Sequence, residues 1–191
     1  MPTRCDWCEG TFEQYVTYHD EEWGVPVWDD TTQFEFIMLE SAQAGLSWST
    51  ILKKRTGYRN AFANFDVQKV ARFDEKKVQE LLKNPEIIRN ENKIRSAVNN
   101  AQCFNEIQET FGSFCNYIWD FVDGEPIQNE WKSLEEVPAN TPTSNKLSKD
   151  MKKRGFKFIG STIIYAHMQA TGMVNDHITS CFRHQEVLNL T

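Results

Sequence analysis

The chain has 191 residues, long enough to bury one sizeable core and short for two, so we expect a single domain over residues 1–191. Hydrophobic residues make up 40% and charged residues 25% of the chain, ordinary proportions for a globular protein. No run approaches the roughly 18 apolar residues of a membrane span. The first ten residues, MPTRCDWCEG, lack the apolar centre of a signal peptide, so the sequence predicts a cytoplasmic protein with no membrane partner.

The formal net charge is −6, which by itself argues against a nucleic-acid partner. The charges are not evenly mixed, however, because acids gather at 13–40 and 120–136 and bases at 53–55, 89–95 and 149–157. A phosphate responds to charges within about 10 Å at physiological salt, so one basic face is compatible with a negative total. Each basic run taken alone is better interpreted as a solvated helix face.

Patterns typical of helices dominate the chain. Residues 32–35 (TQFE) fit a capping box, and Phe34, Ile37 and Met38 then recur at helical spacing. Similar patterns predict helices over 47–55, 66–73, 74–83, 91–110 and 144–154.

Two further stretches are less regular. Residues 156–172 contain a β-branched run that a strand would also accept, but their length and the closing Gly172 favour a buried helix. Residues 123–143 are rich in Pro, Asn and Thr and predict a long irregular connection. The sequence therefore predicts an all-α fold.

Residues 78–101 contain two helical halves around a short turn at 85–90. The second helix would begin with free backbone N–H groups, which favour an anion, and Arg89, Lys93 and Arg95 add positive charge there. Such a helix–turn–helix grips a phosphate backbone without reading base sequence. From this stretch alone, an ordinary pair of antiparallel helices is the better interpretation.

Cysteine and histidine residues gather at both ends of the chain. The five cysteines are an odd number, which argues against a fully paired disulfide framework. His177 and Cys181 are four residues apart, so a helix would place both on one face. Cys5, Cys8 and His19 are the candidate partners, and four such ligands would form a closed, structural zinc site. Spacing alone favours the simpler interpretation of a helix-terminal histidine and a buried cysteine.

A second metal motif is discounted. His19-Asp20-Glu21 matches the H-x-E of zinc deaminases, whose Glu moves protons for a metal-bound water. That signature requires a later P-C-x-x-C, whereas the C-x-x-C of this chain, Cys5 to Cys8, precedes it.

Three stretches taken together change the interpretation of these motifs. They are YHDEEWGVP (18–26), LESAQAGLSWSTILKKR (39–55) and KKRGFKFIGSTIIYAHMQATGMVNDHITSC (152–181). In order and spacing they resemble the bacterial 3-methyladenine DNA glycosylase I family, a helix-hairpin-helix glycosylase family with a terminal zinc site. The likeness extends over nearly the whole chain. It implies one helix-hairpin-helix glycosylase domain whose two ends are joined by one structural zinc ion, held by Cys5, His19, His177 and Cys181. Cys8 departs from the family pattern and would compete with Cys5 for the metal.

The resemblance also implies a pocket for the damaged base. Glu40 would be its catalytic carboxylate, and the binding residues would be Tyr18, Trp48, Trp7 and Tyr15, together with Glu40. A base methylated at N3 is positively charged and a good leaving group, so aromatic faces and a carboxylate select it without strong acid catalysis. Each aromatic taken singly is better interpreted as core packing. Glu40 is stronger evidence for a binding site. It follows the apolar run 37–39, and burying a carboxylate there costs free energy unless the carboxylate has a partner.

Leu46 resembles an apolar wedge that fills the gap left by a flipped base, and Gly45 before it would permit close backbone approach. A core leucine is the competing interpretation, at comparable weight. The resemblance further implies that the strong catalytic Asp of related glycosylases is absent, so no group is assigned to activate the attacking water.

These features together predict a DNA glycosylase that acts as a monomer on duplex DNA containing 3-methyladenine. It would hydrolyse the N-glycosidic bond, leave an abasic site and cut no strand, because the pocket motif offers no lysine nucleophile. The first alternative is a non-catalytic helix-hairpin-helix DNA-binding module. The second is a zinc hydrolase or deaminase of free bases.

Overall fold

The computed structural model describes residues 2–190, and nearly all regular structure among them is helical. The helices, in chain order, are α1 (Glu13–Thr17), α2 (Asp30–Gln43), α3 (Trp48–Lys53), α4 (Arg55–Ala61), α5 (Val67–Val70), α6 (Glu75–Leu81), α7 (Glu91–Phe111), α8 (Phe114–Trp119), α9 (Pro142–Lys153), α10 (Ser161–Ala170) and α11 (Phe182–Leu188). A π-helical turn, Tyr18–Glu22, continues α1. The strands β1 (Ile127–Gln128) and β2 (Val174–Asn175) form one short parallel pair. The prediction of a mainly helical fold is confirmed.

Individual helix predictions differ in accuracy at the helix starts. α7 and α9 begin and end within two residues of the predicted ranges. α2 begins earlier than the predicted capping box, because the side chain of Asp29 accepts a hydrogen bond from the backbone N–H of Thr32 at 2.8 Å. Asp29 is therefore the N-cap.

Other predicted elements are shorter than expected. The range 66–73 contains only the four-residue α5. The range 156–172 becomes helical only at Ser161, because Phe158 has a left-handed φ of 52° that no continuous helix accepts. The connection 123–143 contains β1, whose two residues are too few to show a strand period in the sequence.

α2 is the central helix of the fold. Every residue from 33 to 42 is buried, as expected for a helix enclosed on all sides by α3, α7, α8 and α10. Two carboxylates of α2, those of Glu35 and Glu40, are buried with the helix. Glu35 accepts hydrogen bonds from Arg55 at 2.7 Å and from Arg59 at 3.0 Å. Glu40, one turn further on, faces a different environment that is described below.

The turn between α6 and α7 is held against α4. The Lys54 ammonium donates to the carbonyl oxygen of Pro85 at 2.8 Å, and the Tyr58 hydroxyl accepts from the N–H of Ile88 at 3.2 Å. The Asn90 side chain caps α7 by accepting from the N–H of Lys93. The predicted helix–turn–helix arrangement is therefore present at 75–111.

The two ends of the described chain lie side by side. The N–H of Phe182 donates to the carbonyl oxygen of Thr3 at 3.0 Å, and the N–H of Gly24 donates to that of Gln169 at 3.1 Å. Residues that are distant in sequence can therefore share one site. Within 2–190, no helix combines the length and the apolar character that a membrane crossing requires.

Candidate functional site

Four donor side chains from the two ends of the chain meet in one buried cluster. The ligand atoms of Cys5, His19, His177 and Cys181 all lie within 4.8 Å of one another. Cys181 Sγ lies 3.5 Å from His19 Nε2, and His177 Nδ1 lies 3.6 Å from Cys5 Sγ and 3.7 Å from Cys181 Sγ. Tetrahedral zinc, with Zn–S of about 2.3 Å and Zn–N of about 2.0–2.1 Å, sets each S···N edge at roughly 3.5 Å. The donor set fits a metal ion of this kind. We refer to these four residues as the metal cluster.

Neighbouring groups orient both histidines of the metal cluster. His19 Nδ1 lies 2.7 Å from a carboxylate oxygen of Asp20, to which Arg4 also donates. His177 donates from Nε2 to the carbonyl oxygen of Trp23 at 2.9 Å. These contacts leave His19 Nε2 and His177 Nδ1 facing the two sulfurs, as metal-binding histidines do.

The segment from His177 to Cys181 is a turn, so the helix implied by their spacing is not formed. Cys181 is instead the N-cap of α11, and its N–H donates to the carbonyl oxygen of Ile178 at 2.8 Å. Opposite this turn, Gly24 has a φ of 83°, and a Cβ there would lie 3.0 Å from His177 Nε2. Glycine is therefore required for the chain to pass the His177 ring.

Cys8 is buried but lies outside the metal cluster. Its thiol donates to the carbonyl oxygen of Cys5 at 3.2 Å, and burial raises its pKa to about 11. Hydrogen bonds from Cys5, His177 and His19 instead lower the pKa of Cys181, which favours its thiolate. Of the two N-terminal cysteines, Cys5 is the one positioned to bind a metal.

A cavity of about 220 Å³ adjoins the metal cluster, and Cys5 belongs to both. The structure brings the five residues predicted for the base pocket together around this cavity: Glu40, Tyr18, Trp48, Trp7 and Tyr15. Several lining residues were not predicted, and most come from later in the chain: Trp23, Gln43, Leu134, Val137, Ala166, Gln169, Asp176 and Ile178. We refer to this space as the aromatic cavity.

The aromatic rings of the cavity support one another. The ring centroid of Trp7 lies 5.3 Å from that of Tyr15 and 5.0 Å from that of Trp23. The Tyr18 ring lies 5.4 Å from Trp48. Tyr15 and Tyr18 share one face because α1 continues into the π-helical turn. Rings fixed in this way offer preformed aromatic faces to a planar ligand.

Glu40 is the carboxylate of the aromatic cavity. It is 3% exposed, and its Oε2 atom has no hydrogen-bond partner among residues 2–190. Burial alone raises its pKa to about 8. The indole N–H of Trp48 is likewise buried without a partner in that part of the chain. An acceptor and a donor left unsatisfied in the lining of one cavity are typical of a site completed by a polar ligand.

Asp176 also lines the aromatic cavity, and the sequence did not predict it as a site residue. Its two carboxylate oxygens accept from four side chains at 2.6–2.8 Å: Asn129, Trp131, Tyr165 and Gln169. These bonds tie the connection 123–143 and α10 to the turn that carries His177. The only signal in the sequence was its place beside a candidate metal ligand.

The loop between α2 and α3 carries the predicted wedge. Leu46 is 40% exposed, so the alternative of a core leucine is wrong. Gly45 has a φ of 77°, so the turn itself requires glycine. The Lys93 ammonium, from the first turn of α7, donates to the carbonyl oxygens of Ala42 and Ala44 at 2.8 and 2.6 Å. Lys93 is therefore engaged in holding this loop.

The other two predicted DNA-binding residues differ in their surroundings. Arg89 lies exposed on the turn between α6 and α7. The guanidinium of Arg95 contacts Glu75 at 2.7 Å and Glu91 at 2.8 Å, so two carboxylates already neutralise it.

The helical fold thus brings an aromatic cavity with a buried carboxylate next to a buried Cys/His cluster that could hold a metal ion. Comparison with known proteins identifies the class. The methyladenine glycosylase family profile matches residues 7–184, and the chain belongs to this family. The resemblance inferred from the sequence is thereby confirmed.

Individual relatives cover nearly the whole chain. The DNA-3-methyladenine glycosylase 1 of Escherichia coli K12 is 45% identical over 178 residues, which cover 93% of this chain and 95% of that protein. A DNA-3-methyladenine glycosylase of Haemophilus influenzae is 44% identical over 181 residues, 95% and 97% of the two chains. A crystal structure of a 3-methyladenine DNA glycosylase I superposes with a TM-score of 0.91 at 48% identity, covering 94% of this chain and 98% of that one. The enzyme of Staphylococcus aureus, whose structure describes 3-methyladenine recognition, gives 0.89 at 35% identity, covering 92% and 94%.

Proposed function

We propose that this protein is a monofunctional DNA glycosylase that flips 3-methyladenine out of alkylated duplex DNA and hydrolyses its N-glycosidic bond. The observation that carries the proposal is Glu40, whose Oε2 atom is buried in the aromatic cavity without a hydrogen-bond partner among residues 2–190. Its family relatives are named for the same lesion.

Selection of the lesion follows from charge. In deoxynucleoside form, a base methylated at N3 is cationic, whereas adenine is neutral. An ionised Glu40 attracts the cation and accepts its N–H groups, while Tyr18, Trp48, Trp7 and Tyr15 offer aromatic faces that favour it further. Neutral adenine gains little from either effect. Burial raises the pKa of Glu40 to about 8, and the entry of a cationic base would lower this pKa and favour the ionised carboxylate.

The chemical step then needs little from the protein. The bond between C1′ and the base breaks, its electron pair neutralises the base, and water adds hydroxyl to C1′ while releasing a proton. Glu40 acts as the catalytic carboxylate by holding the cationic base in place until that charge is lost. None of the described residues that line the cavity is a lysine, so no Schiff base and no strand cleavage are expected.

DNA contacts are proposed on two neighbouring elements. The exposed Leu46 would fill the space of the flipped nucleotide. α6, the turn and α7 would serve as the helix-hairpin-helix that holds a phosphate backbone, with the exposed Arg89 as one of its cations. Lys93 and Arg95 were proposed for the same role, but their carbonyl and carboxylate partners favour structural roles.

The metal cluster is proposed to hold one structural zinc ion through Cys5, His19, His177 and Cys181. Four protein ligands leave no position for water, so the metal would brace the chain ends and the adjoining cavity wall. The alternative of a zinc deaminase is disfavoured, because Glu21, its proton carrier, is exposed to solvent. A non-catalytic binding module is disfavoured because it has no use for a buried, unpartnered Glu40.

The residues that line the aromatic cavity extend from residue 5 to residue 178, and we propose that the protein acts as a monomer with one domain over residues 1–191. We place its action in the cytoplasm, where it meets duplex DNA.

The direct test is to incubate the protein with duplex DNA treated with a methylating agent and to identify the released base by chromatography. Release of 3-methyladenine, with strands cut only after alkaline treatment, is expected. Strand breaks without alkali would exclude the monofunctional mechanism. A protein that binds the DNA but releases no base would be the binding module.

A further inference from the structure

About half of the 21 basic side chains of this acidic protein already have a carboxylate or carbonyl partner. Arg4, Arg55, Arg59, Arg95, Arg154 and Arg183 are paired with carboxylates, as are Lys69 and Lys77. Lys54 and Lys93 donate to backbone carbonyl groups. The remaining basic groups are spread over the described surface, but three of them gather in one place.

One such group lies where α9 ends and α10 begins. Lys149, Lys152 and Lys153 are exposed, and none forms an ion pair with a residue in 2–190. They line an open groove of about 500 Å³ together with Asn145, Ser148 and Ser161. The acid on the same helix, Asp150, is bound by Tyr117 and Arg154 and does not neutralise them. The groove is therefore positively charged within a protein of net charge −6.

The segment after α9 also exposes an aromatic ring. Phe158 is 38% exposed and has a φ of 52°, a backbone conformation that is unfavourable for a bulky residue. α7 fixes this segment, because Asn100 donates to the carbonyl oxygen of Lys157 at 3.0 Å and accepts from its N–H at 2.8 Å. The fold thus holds an apolar ring at the surface, in the segment that joins the lysines of α9 to Ser161 of the same groove.

The position of this groove relates it to the aromatic cavity. Leu46 and Gly45 share a second groove with Thr162 and Ile163 from the first turn of α10, and Ser161 belongs to the lysine groove. The two grooves are therefore adjacent across that turn. Asn100 lies nine residues after the start of α7, so the lysine side of the molecule is roughly 14 Å along that helix from the turn at 82–90.

We propose that Lys149, Lys152, Lys153 and Phe158 form a second DNA contact, which holds the sugar–phosphate backbone on the opposite side of Leu46 from the α6–α7 turn. This inference rests on the proposed glycosylase function. The lysines neutralise phosphates and the Phe158 ring packs on a deoxyribose. A duplex held on both sides of Leu46 does not shift away from the protein when Leu46 inserts into it. The nucleotide that faces Leu46 is therefore displaced from the duplex instead.

The two kinds of contact have different signatures in binding experiments. Each phosphate contact that is lost should reduce the slope of log K against log[salt] by about 0.9, whereas an apolar contact leaves the slope unchanged. We expect K152Q/K153Q to lower the slope by one to two units and to weaken binding to any duplex sequence. F158A should weaken binding several-fold at an unchanged slope. K69Q/K132Q, with the same change in net charge, should leave both quantities as in the wild type.

The contact can be located by removing charge from the DNA. A duplex carrying an abasic-site analogue is prepared with a neutral methylphosphonate at one position at a time. At the positions that the lysine groove holds, the methylphosphonate should weaken wild-type binding and have no further effect on K152Q/K153Q. At positions held by the α6–α7 turn, the two changes should be additive.

The outcomes separate this inference from the function on which it rests. Equal salt slopes for K152Q/K153Q, K69Q/K132Q and the wild type would overturn the second contact, even if the wild type releases 3-methyladenine normally. Additive effects at every methylphosphonate would do the same. A wild-type protein that releases no 3-methyladenine would overturn the proposed function, whatever the slopes.

Discussion

The metal cluster and the aromatic cavity share a wall but differ in how their polar groups are satisfied. In the cluster, both histidines have hydrogen-bond partners on the side away from the sulfurs. In the cavity, Glu40 Oε2 and the Trp48 N–H have none in the described chain. Satisfied groups contribute stability, whereas unsatisfied groups cost stability and prepare a site for a ligand. The comparison predicts that substitutions in the cluster affect folding and that substitutions in the cavity affect activity.

The largest effect is expected in the metal cluster. H177A should lose the metal and with it several kcal/mol of stability, the scale of a structural zinc site. Metal analysis of the purified protein and denaturant unfolding would measure both. H184A is the matched control, because His184 donates from Nε2 to the carbonyl oxygen of Asn129 at 2.9 Å, outside the metal cluster. Zinc retained in H177A, or lost in C8S rather than in C5S, would contradict the assignment.

Glu40 should show the opposite behaviour. E40Q keeps the shape but removes the charge that attracts a cationic base and places a donor where an acceptor is needed. We expect excision to fall by about 10²-fold or more, equivalent to roughly 3 kcal/mol, with fold and metal content unchanged. Single-turnover release of 3-methyladenine would measure the loss, with the exposed E125Q as control. A wild-type rate in E40Q would place the pocket elsewhere.

The same substitution should stabilise the free protein at higher pH. Burial raises the Glu40 pKa from 4.5 to about 8, so between these values the folded state keeps a proton that the unfolded state has lost. The wild type therefore loses stability as pH rises through this window, and E40Q does not. We expect E40Q to gain about 4 kcal/mol relative to the wild type between pH 5 and pH 9. Unfolding free energies that change in parallel for both proteins would exclude an unpartnered Glu40.

Substitutions of Lys93 test whether the start of α7 holds the loop between α2 and α3 in place. K93M removes the ammonium that holds the carbonyl groups of Ala42 and Ala44, so the Leu46 loop should lose its fixed position. We expect excision to fall about 10-fold, or roughly 1.4 kcal/mol, while the salt slope of DNA binding is unchanged. K93R should recover part of the rate. A reduced slope in K93M would restore the first interpretation of Lys93 as a phosphate contact.

The smallest effects are expected on the turn itself. R89A should lower the salt slope by up to about one unit, because its side chain is exposed and free to contact a phosphate. R95A should change the slope less, because Glu75 and Glu91 already neutralise Arg95. Salt titrations of both variants on one duplex would measure the difference, and equal slopes would show that the ion pairs open when DNA binds.

The sequence was most informative where the signal is local or where several motifs agree. Helical periodicity predicted α7 and α9, and the motifs around Tyr18, Glu40 and Trp48 predicted the residues that the structure brings to one cavity. It failed where tertiary contacts decide. The four-residue spacing of His177 and Cys181 suggested a helix, whereas the turn is set by partners at the other end of the chain. Local charge could not reveal that Lys93 binds carbonyl groups.

Asp176 and Trp23 were missed for a related reason. Asp176 binds Asn129 and Trp131, which are more than 40 residues away in the sequence. Trp23 binds His177 through its backbone carbonyl group. Neither kind of contact leaves a local pattern. The choice of Cys5 over Cys8 is similar, because both lie in one short motif and only the positions of His19 and His177 separate them.

The shared wall between cavity and cluster has a consequence during protein synthesis. Cys5 and His177 are 172 positions apart, yet both are needed before the wall can close. A growing chain, or one that stops early, therefore presents Trp7, Tyr15 and Tyr18 without their opposite side. The aromatic cavity is therefore complete only when synthesis has passed Ile178, the lining residue that comes last in the chain.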